Sequence, residues 1–558
     1  MDPQLVKFIN SEAPQLNMDL ANGLATVHLK HVGEYVDAIM RSAANGFPKG
    51  MVYEGYRIYD PYEDYRACIK PRNKKRRTRV QGARSSGGRQ YETAQTDFFM
   101  AEYSFSYNGE KLQKRPLYLP FVGDGGSITI SDTKWYISPV LADRVISIGV
   151  YQIFVRLLRD RLTFGRDQYA CKKNGQREGG DLVHSRIYHK SKDKDNQTSS
   201  NAKTSMVHYL FCKYGFTGAM VRYANAKPYV AHDFPEKDYP RDQWDIYESL
   251  GVPPKSLGMR RRYQNYVPPT IKVAVRKEEN NDEVKAMILG FFYVVDHFPD
   301  QVHAEYVDRP EGWTGSMGYM LFSENYNRGK IEGHIQKHLS SLDDYADPIV
   351  IDNMRGIGIE IENIYDFFAI IAKDFGSWIS NNQDKVNSMY DKELSVLYFV
   401  LFDITKAIFN LFFALKANSK KVLTKNDVEK ALMDCLKPGL IYALSKSHGE
   451  ITSISYSGDN KAFKATATLT PQTSTTKMGK KGSDRGAGND PSRRLHPSVA
   501  EVGAVSAMTK ADPTGRSRLN HYMLLNETKD LIVRNPKFKD LLDKVAADEL
   551  TTRSISSE

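Results

Sequence analysis

Alternating polar and apolar residues, the pattern of half-buried β-strands, occur in two stretches that lie far apart in this chain. The first covers residues 96–137, and the second runs from Ile451 to Leu469. Between them the pattern is first mixed and then mainly helical. Because such alternation indicates strands with one buried face, a β-rich part returns after a long insertion. The order of patterns predicts a domain built from two chain segments, in a multidomain α+β protein.

Short signals predict individual turns and helix ends. Asn108-Gly109 follows an alternating stretch and is typical of a tight β-hairpin turn. Residues 123–126, which contain three glycines, lack the Gly-Lys-Ser/Thr of a phosphate-binding loop and also predict a turn. Thr424 and Asp427 have the spacing of a capping box, which predicts that a helix begins there.

Three apolar runs constrain the remaining elements. Leu141–Leu162 has helical spacing, and Met287–Val295 favours a buried strand. Leu394–Leu415 is long enough for a membrane helix, but Asp403 and Lys406 lie in its middle. Because each such charge costs about 2.5–3.5 kcal/mol at a bilayer centre, we expect a buried helix of a soluble protein and no membrane partner.

The strongest charge feature is a basic run, residues 66–89, which contains ten basic residues and no acidic one. Seven of them are clustered: Lys70, Arg72, Lys74, Lys75, Arg76, Arg77 and Arg79. The run ends in glycine and serine residues, which predicts an exposed loop. It accounts for nearly all of the chain's formal net charge of +11. Such a cluster favours nucleic-acid phosphates, and the alternatives are a solvated loop or a lid on an acidic partner protein.

Motifs of catalysis and metal binding are missing from the sequence. No GxSxG, Walker or DxDxD pattern occurs. His334 and His338 have i, i+4 spacing but lack the glutamate of a zinc-protease motif, so a solvated helix face is expected. Asp343, Asp344 and Asp347 are expected to be solvated loop acids. The sequence therefore predicts no catalytic residue and no metal site in this chain.

A second basic segment, Pro491–Glu527, is rich in loop-forming glycine and proline. Its cations and histidines are Arg493, Arg494, His496, Lys510, Arg516, Arg518 and His521. Guanidinium groups suit phosphates and tight contacts between chains. The alternative is a surface excursion with dispersed charge.

This segment resembles the fork region of the β subunit of multisubunit DNA-directed RNA polymerases. The family pattern has Asn-Pro, Lys-Arg-Arg-(Ile/Leu)-Ser, glycines, spaced arginines, His-Tyr-Gly-Arg and Glu-Thr-Pro-Glu-Gly. The matching residues are Asn489-Asp490-Pro491, Ser492-Arg493-Arg494-Leu495, Gly503, Gly515, Arg516, Arg518, His521-Tyr522 and Glu527-Thr528. Met523-Leu524 and residues 529–531 depart from it. Residues 115–141 also resemble an early β-subunit pattern of a strand ending in Leu-Pro, a glycine turn and a short strand that leads to a helix.

The resemblance implies a division of the chain into five parts. These are a protrusion-like first segment (1–150), a lobe-like insertion (151–385), a returning protrusion-like segment (386–475), a fork-like region (476–530) and a C-terminal tail (531–558). The expected architecture is therefore a β-rich protrusion with an inserted mixed lobe, followed by a loop-rich fork region.

The resemblance also implies a function. A chain that ends soon after the fork pattern is similar to the N-terminal part of β in the split-β polymerases of jumbo bacteriophages. The implied partners are the C-terminal half of a split β subunit, β′-like subunits, the DNA template and nascent RNA. The expected location is the cytoplasm of the infected bacterial host, or the virion if the enzyme is packaged.

Residue roles follow from the resemblance and the basic run together. The basic run and Arg493, Arg494, Arg516 and Arg518 are expected to bind nucleic acid, with His521 and Glu527 close to the active centre. Catalytic Mg²⁺ is expected in the assembled enzyme but bound by aspartates of a partner subunit. The chain alone is therefore expected to be inactive. The alternative function is a non-enzymatic phage nucleic-acid-binding protein or a virion structural protein.

Overall fold

A computed structural model of the chain describes residues 17–22, 24, 31–63, 97–130, 133–137, 140–158, 161–187, 203–251, 267–321, 328–385, 388–418, 423–437, 454–456, 466–469, 496–503 and 516–555. The chain divides into two compact units. Unit 1 comprises Met1–Arg144 and Asn387–Glu558, and unit 2 comprises Val145–Val386. Helices and antiparallel sheets occur in both, which confirms the predicted multidomain α+β class. The identification of parts as protrusion, lobe and fork stays a prediction.

The first segment of unit 1 begins with short helices and continues as strands. The described elements are α1 (Met18–Asn22), α2 (Val32–Ala44), β1 (Met51–Ile58), β2 (Phe98–Tyr107), β3 (Glu110–Lys111), β4 (Arg115–Pro120), β5 (Ser127–Ile130), β6 (Thr133–Ile137) and β7 (Val140–Asp143). Strand β2 is central, because it pairs in antiparallel fashion with β1, β3 and β4.

Helix α2 packs against this sheet through one apolar face. Val36 and Met40 are fully buried and lie four residues apart, which places both on the same side of the helix. The Tyr53 ring of β1 lies 5.3 Å from the Phe105 ring of β2, centroid to centroid. The Tyr53 hydroxyl donates to the carboxylate of Asp37 on α2 at 2.6 Å. The spacing of the apolar residues thus sets which face of α2 meets the sheet.

Unit 2 contains one sheet, whose strands differ in length, and a layer of helices. Its described elements are β8 (Ile146–Ile148), β9 (Ile153–Arg156), β10 (Arg161–Lys173), β11 (Gln176–Ser185), β12 (Thr204–Ser205), α3 (Met206–Tyr214), α4 (Phe216–Ala224), β13 (Tyr229–Ala231), β14 (Trp244–Glu248), β15 (Lys272–Arg276), α5 (Asp282–His297), α6 (Pro310–Leu321), α7 (Arg328–Leu342), α8 (Pro348–Gly356) and α9 (Ile364–Asn381). The strand order is β12-β11-β10-β14-β15-β13, with β9 beside β10 and β8 beside β9.

The core of unit 2 lies between the sheet and helices α3, α5 and α9. Phe164 of β10 lies 5.8 Å from Phe367 of α9 between ring centroids, in an edge-to-face arrangement. Trp313 of α6 is buried, and its indole N–H donates to the carbonyl of Val307 at 2.7 Å. Aromatic side chains therefore supply much of the buried apolar surface that holds the helices on the sheet.

The prediction of a strand at Met287–Val295 is wrong, because the run lies inside helix α5. The side chain of Asn281 caps this helix by accepting a hydrogen bond from the N–H of Val284 at 2.8 Å. Most of the run is buried, so its apolar residues extend around the helix instead of forming one face. Periodicity cannot separate such a helix from a buried strand.

The prediction of a helix at Leu141–Leu162 is also wrong. The structure forms β7, β8, β9 and the start of β10 there. The stretch is rich in β-branched residues, which favour strands: Val145, Ile146, Ile148, Val150, Ile153 and Val155. This composition outweighs the helical spacing.

The second segment of unit 1 completes the sheets begun by the first. Its described elements are β16 (Lys392–Ser395), α10 (Leu397–Val400), α11 (Phe402–Asn418), α12 (Lys425–Cys435), β17 (Ile454–Tyr456), β18 (Thr466–Leu469), α13 (Ser498–Val502), β19 (Arg516–Arg518), β20 (Leu524–Leu525), β21 (Ile532–Val533) and α14 (Pro536–Ile555). One sheet has the order β16-β7-β18-β19, and another has the order β17-β6-β5. Strands from both segments therefore share these two sheets.

Leu394–Leu415, predicted as a single buried helix, divides into the end of β16, the short helix α10 and helix α11. Leu394 pairs with Leu141 of β7, so sheet pairing overrides the helical preference at this end. Among the described helices, none combines the length and the apolar character needed to cross a membrane.

The turn and cap predictions are confirmed. Asn108 and Gly109 have φ values of 52° and 82° and join β2 to β3. Residues 124–126 form a single turn in which Gly125 has a φ of 75°. The side chain of Thr424 accepts the N–H of Asp427, whose carboxylate accepts the N–H of Thr424, so helix α12 begins with a capping box. These short signals succeed because the determining contacts are local.

Candidate nucleic-acid interface

The basic run connects two neighbouring antiparallel strands of unit 1. Its clustered cations lie outside the described residues: Lys70, Arg72, Lys74, Lys75, Arg76, Arg77 and Arg79. Strand β1 ends before the run and β2 begins after it, with Ile58 opposite Ala101. The N–H of Tyr59 donates to the carbonyl of Met100 at 2.9 Å, which extends the pairing. The chain therefore leaves β1 and enters β2 at the same end of this sheet.

A buried carboxylate, Glu102 of β2, organises this end of the sheet. One of its oxygens lies 2.5 Å from Lys114 Nζ and 3.3 Å from Arg57 Nε, and the other accepts the Tyr59 hydroxyl at 2.9 Å. Burial pushes the pKa of Glu102 upward, but the hydrogen bonds from Lys114 and Tyr59 and the two cations hold it below its ordinary value. The carboxylate therefore stays ionised and holds two half-exposed cations, Lys114 and Arg57.

Further contacts fix the chain on either side of the run. The Arg57 guanidinium donates two hydrogen bonds, of 2.8 and 3.0 Å, to the carboxylate of Glu63, the last described residue before the run. On the other side, the N–H of Asp97 donates to the carbonyl of Thr129 at 2.8 Å. The Asp97 carboxylate accepts the Thr129 N–H at 2.7 Å. The described residues that flank the run are thus held by contacts with neighbouring strands.

The predicted fork residues lie in different settings. Arg493 and Arg494 lie outside the described residues. Arg516 and Arg518 lie on β19, where each pairs with a threonine of β18 at the edge of the four-stranded sheet. This strand belongs to the interleaved sheet of unit 1, so the positions of these arginines depend on both chain segments.

His521 and Glu527 lie on either side of strand β20. His521 is half-buried in the turn after β19, and its carbonyl accepts the N–H of Asn17 at 2.7 Å. Glu527 is exposed in the loop that joins β20 to β21. The loop is held by Asn526, whose side chain accepts the N–H of Leu531 at 2.9 Å.

Asn17 is a residue that sequence reasoning missed. Its buried side chain accepts the N–H of Asp19 at 3.0 Å and donates to the carbonyl of Met523 at 2.8 Å. Asp19 pairs with Lys529 Nζ at 2.8 Å. The first described helix therefore holds the segment that contains His521 and Glu527. The sequence gives no signal for this, because the partners are about 500 residues apart.

Tyr390 and Glu501 form a second unpredicted anchor of this segment. The Tyr390 hydroxyl donates to the Glu501 carboxylate, and Arg534 Nε lies 3.8 Å from the same carboxylate. The Arg534 guanidinium also lies 5.3 Å from the centroid of the Tyr390 ring. Burial, followed by the hydrogen bond to Glu501, raises the pKa of Tyr390 to about 12. The phenol stays protonated and remains a donor.

Metal-ligating side chains do not converge in the part of the chain that the structure describes, where no group of three or more could hold an ion. His334 and His338 both lie on α7, but His338 is fully buried and its Nε2 lies 3.0 Å from the Tyr209 hydroxyl oxygen. The expected solvated face is therefore wrong for His338, because α7 packs against other helices of unit 2. Asp347 is likewise buried, and its carboxylate accepts the N–H of Ile349 at the start of α8.

Comparison with known proteins identifies the family. No curated protein matches the chain significantly. A family model described as non-virion RNA polymerase subunit matches residues 3–546, which is nearly the whole chain. The match includes the basic run, the second basic segment and both units. The chain therefore belongs to the family of non-virion RNA polymerase subunits.

Proposed function

We propose that this chain is a β-like, non-catalytic subunit of a phage DNA-directed RNA polymerase that lines the path of DNA and RNA near the active centre. The family match supports a polymerase subunit over a separate nucleic-acid-binding or virion structural protein. One observation carries the β-like assignment: unit 1 is made from two interleaved segments, with unit 2 inserted between them. The resemblance to β subunits implies this order of protrusion, lobe and returning protrusion.

The basic run contributes phosphate contacts in this proposal. The described residues before and after it are held by the network around Glu102 and by Asp97. If about seven cations contact phosphates of a duplex, the binding constant falls with salt at a logarithmic slope near −6. The run thus supplies attraction that does not depend on base sequence.

The fork-like region contributes positioning. Arg493, Arg494, Arg516 and Arg518 contact RNA or template phosphates, and His521 and Glu527 lie close to the partner half of β. Support comes from the anchoring of the described part of this region by Asn17 and Tyr390, which ties it to other parts of unit 1. Mg²⁺ supplies Lewis-acid chemistry for phosphoryl transfer, and we assign its ligands to a partner subunit.

The expected partners are the C-terminal half of a split β subunit and β′-like subunits, assembled on DNA in the cytoplasm of the infected host. Reconstitution tests this. The chain is purified alone, and a second sample contains it with the co-encoded subunits, each on an RNA–DNA scaffold that needs no promoter. We expect RNA synthesis only from the assembled set that includes this chain. Synthesis by the isolated chain would contradict the non-catalytic assignment.

A cross-linking experiment on the assembled enzyme tests the β-like position separately. A photoreactive amino acid is placed at Arg516 or Glu527, with the exposed Tyr151 of unit 2 as the control position. We expect cross-links to the RNA 3′ end or template from the fork positions and none from Tyr151. Arg516→Ala is expected to slow elongation without impairing assembly. A fully assembled enzyme that shows neither effect would overturn the β-like position while leaving the subunit assignment intact.

A further inference from the structure

The outer face of the unit 2 sheet carries a small apolar cluster that is separate from the main core. Its buried members are Phe234, Trp244, Ile246 and Ala274. In the strand register Ala274 lies opposite both Ile246 and Tyr229, and Trp244 lies opposite Arg276. Because residues two apart share a face, these positions lie on one side of β13, β14 and β15. This side faces away from the core residues Val273 and Val275.

Two tyrosine rings are exposed on strand β13 and on the short turn beside it. Tyr229 lies on the outermost strand β13, is 39% exposed and packs edge-on against Trp244 at 5.5 Å between centroids. Tyr306 is 52% exposed and ends the short turn Ala304–Tyr306, which adjoins β13. His232 and Glu305 connect the two places by a contact of 3.4 Å. The turn that carries Tyr306 therefore lies beside the strand that carries Tyr229.

Three exposed cations lie against these rings. Lys227 Nζ lies 6.0 Å from the Tyr229 centroid, the Arg276 guanidinium 5.4 Å from Trp244, and the Arg309 guanidinium 4.5 Å from Tyr306. Within the described ranges none of the three makes an ion pair. Other lysines of unit 2 do, such as Lys173 and Lys373. We name Tyr229, Tyr306, Lys227, Arg276 and Arg309 the aromatic–cation platform.

Three carboxylates on the same segments of unit 2 are engaged. Glu305 pairs with His232, Asp233 pairs with Lys272 at 2.7 Å, and Glu279 accepts the backbone N–H of Lys227 at 2.8 Å. The loop over Trp244 also exposes three acids: Glu236, Asp238 and Asp242. The attraction for an anion is therefore local to the three cations and is not a property of the whole face.

We propose that the aromatic–cation platform binds single-stranded nucleic acid. Unpaired bases stack on the exposed rings of Tyr229 and Tyr306, and Lys227, Arg276 and Arg309 contact the phosphates. A duplex cannot use the rings, because its bases already stack on each other. The inference rests on the proposed function in one respect: an RNA polymerase holds single strands. The platform lies in unit 2 and is distinct from the basic run and the fork-like segment of unit 1.

Fluorescence anisotropy with a labelled oligothymidine and a matched duplex tests this. The full chain is used, with the seven clustered cations of the basic run replaced by glutamine so that they do not mask the platform. Base stacking on one ring is worth about 1–3 kcal/mol, so Tyr229→Ala and Tyr306→Ala should each weaken oligothymidine binding at least fivefold. Tyr229→Phe and Tyr306→Phe keep the rings and should bind like the parent. Tyr151→Ala, at a ring that is 64% exposed, is the matched control.

The salt dependence of oligothymidine binding distinguishes the contribution of the cations from that of the rings. Three phosphate contacts on a single strand predict a logarithmic slope near −2, much shallower than that of the basic run. Replacing Lys227, Arg276 and Arg309 by glutamine should remove this slope, whereas the two alanine variants should keep it and lose affinity.

Two results would overturn the proposal. One is parental oligothymidine affinity in Tyr229→Ala and Tyr306→Ala variants that unfold at the parental temperature. The other is an equal loss of affinity in the alanine and phenylalanine variants. Parental affinity with failure to assemble with the other subunits also rejects it and identifies a protein-docking face. Failure of the platform leaves RNA synthesis by the reconstituted enzyme as an independent test of the proposed function.

Discussion

At the scale of single residues, two histidines of unit 2 are kept neutral by their surroundings. His208 is fully buried, and its Nε2 lies 2.9 Å from the carbonyl of Trp313. His297 is almost fully buried, and its Nδ1 lies 2.6 Å from the carbonyl of Tyr293. Burial lowers the pKa of each to about 4, although each contact with a carbonyl opposes the shift. The other ring nitrogen of each is buried without a hydrogen-bond partner among the described residues.

These histidines predict that acid destabilises unit 2. Between the unfolded pKa of about 6.5 and the folded value of about 4, the unfolded state binds more protons, so the free energy of unfolding falls as the pH falls. At pH 5 the loss is about 2 kcal/mol for each histidine, relative to pH 8. Urea unfolding at both pH values measures it. The double variant His208→Gln/His297→Gln should lose less stability on acidification, and an equal loss would show that these residues are not responsible.

Glu102 predicts a stability effect at the base of the basic run. Glu102→Gln keeps the shape but removes the charge that Lys114 and Arg57 contact, at a cost of about 1–3 kcal/mol. Glu110→Gln is the control, because its carboxylate is 67% exposed and pairs with Lys425 on the surface. The control should cost less than about 1 kcal/mol. Chemical denaturation of both variants measures the difference. Equal losses in the free energy of unfolding would mean that the contacts of Glu102 do not stabilise the fold.

Residue roles are the part of this protein that sequence reasoning predicts least. The basic run is visible because it is contiguous, but Glu102, Asn17 and Tyr390 are functionally placed only by partners far away in sequence. His338 illustrates the same limit, since i, i+4 spacing gives its helix face and not what packs against that face. Burial depends on tertiary packing, so the environment of a single residue can be assigned only once the fold is known.

At the scale of elements, helix α5 shows how an end signal decides between two structures. Its apolar run fits either a strand or a helix, but Asn281 supplies the cap that starts a helix. The Asn281 side chain accepts the Val284 N–H at 2.8 Å and donates to the carbonyl of Ala224 at 3.1 Å. One side chain therefore both starts α5 and ties it to the end of α4.

Asn281→Ala is expected to destabilise unit 2 by about 1–2 kcal/mol, because it removes the cap and the link to α4 together. Asn281→Asp keeps the acceptor and loses the donor, so it should recover part of this loss. Thermal unfolding of the full chain compares the two. Equal destabilisation by alanine and aspartate would show that the cap contributes nothing.

Elements were predictable where local contacts decide them. The Asn108-Gly109 turn and the capping box at Thr424 are correct because their hydrogen bonds span few residues. Leu394–Leu415 failed in part because pairing of Leu394 with the distant strand β7 outweighed helical spacing. Leu141–Leu162 failed because its β-branched residues favour strands.

At the scale of the whole molecule, unit 1 depends on joining two distant segments. Lys392 of β16 and Asp143 of β7 form an ion pair between them, with side chains only 9% and 12% exposed. Lys425 and Glu110 also join the segments, but their side chains are 42% and 67% exposed. Alternating patterns at both ends of the sequence predicted such a joint domain in general terms. The strand order β16-β7-β18-β19 was beyond prediction, because sequence patterns carry no register between distant strands.

Because the two ion pairs differ in burial, their removal should change the free energy of unfolding by different amounts. Lys392→Met leaves Asp143 buried without this partner and should cost about 3–5 kcal/mol, whereas Lys425→Met should cost no more than about 1 kcal/mol. The double variant Lys392→Met/Asp143→Leu should recover much of the loss, since an apolar pair avoids the buried charge. Denaturant titration of the four proteins checks this. Similar losses of unfolding free energy in the two single variants would contradict a stabilising role for the buried Lys392–Asp143 pair.

The insertion of unit 2 also determines how long strand β7 waits for its partner strands during synthesis. Lys392 follows Asp143 by 249 residues, and both neighbours of β7 lie beyond unit 2. At roughly 5–20 residues per second, a ribosome leaves β7 without its partner strands for roughly 12–50 s. Unit 2 is complete before β16 emerges, so it can fold while unit 1 still has open strand edges that invite aggregation. Synonymous codons that slow translation within unit 2 would lengthen this exposure without changing a single amino acid.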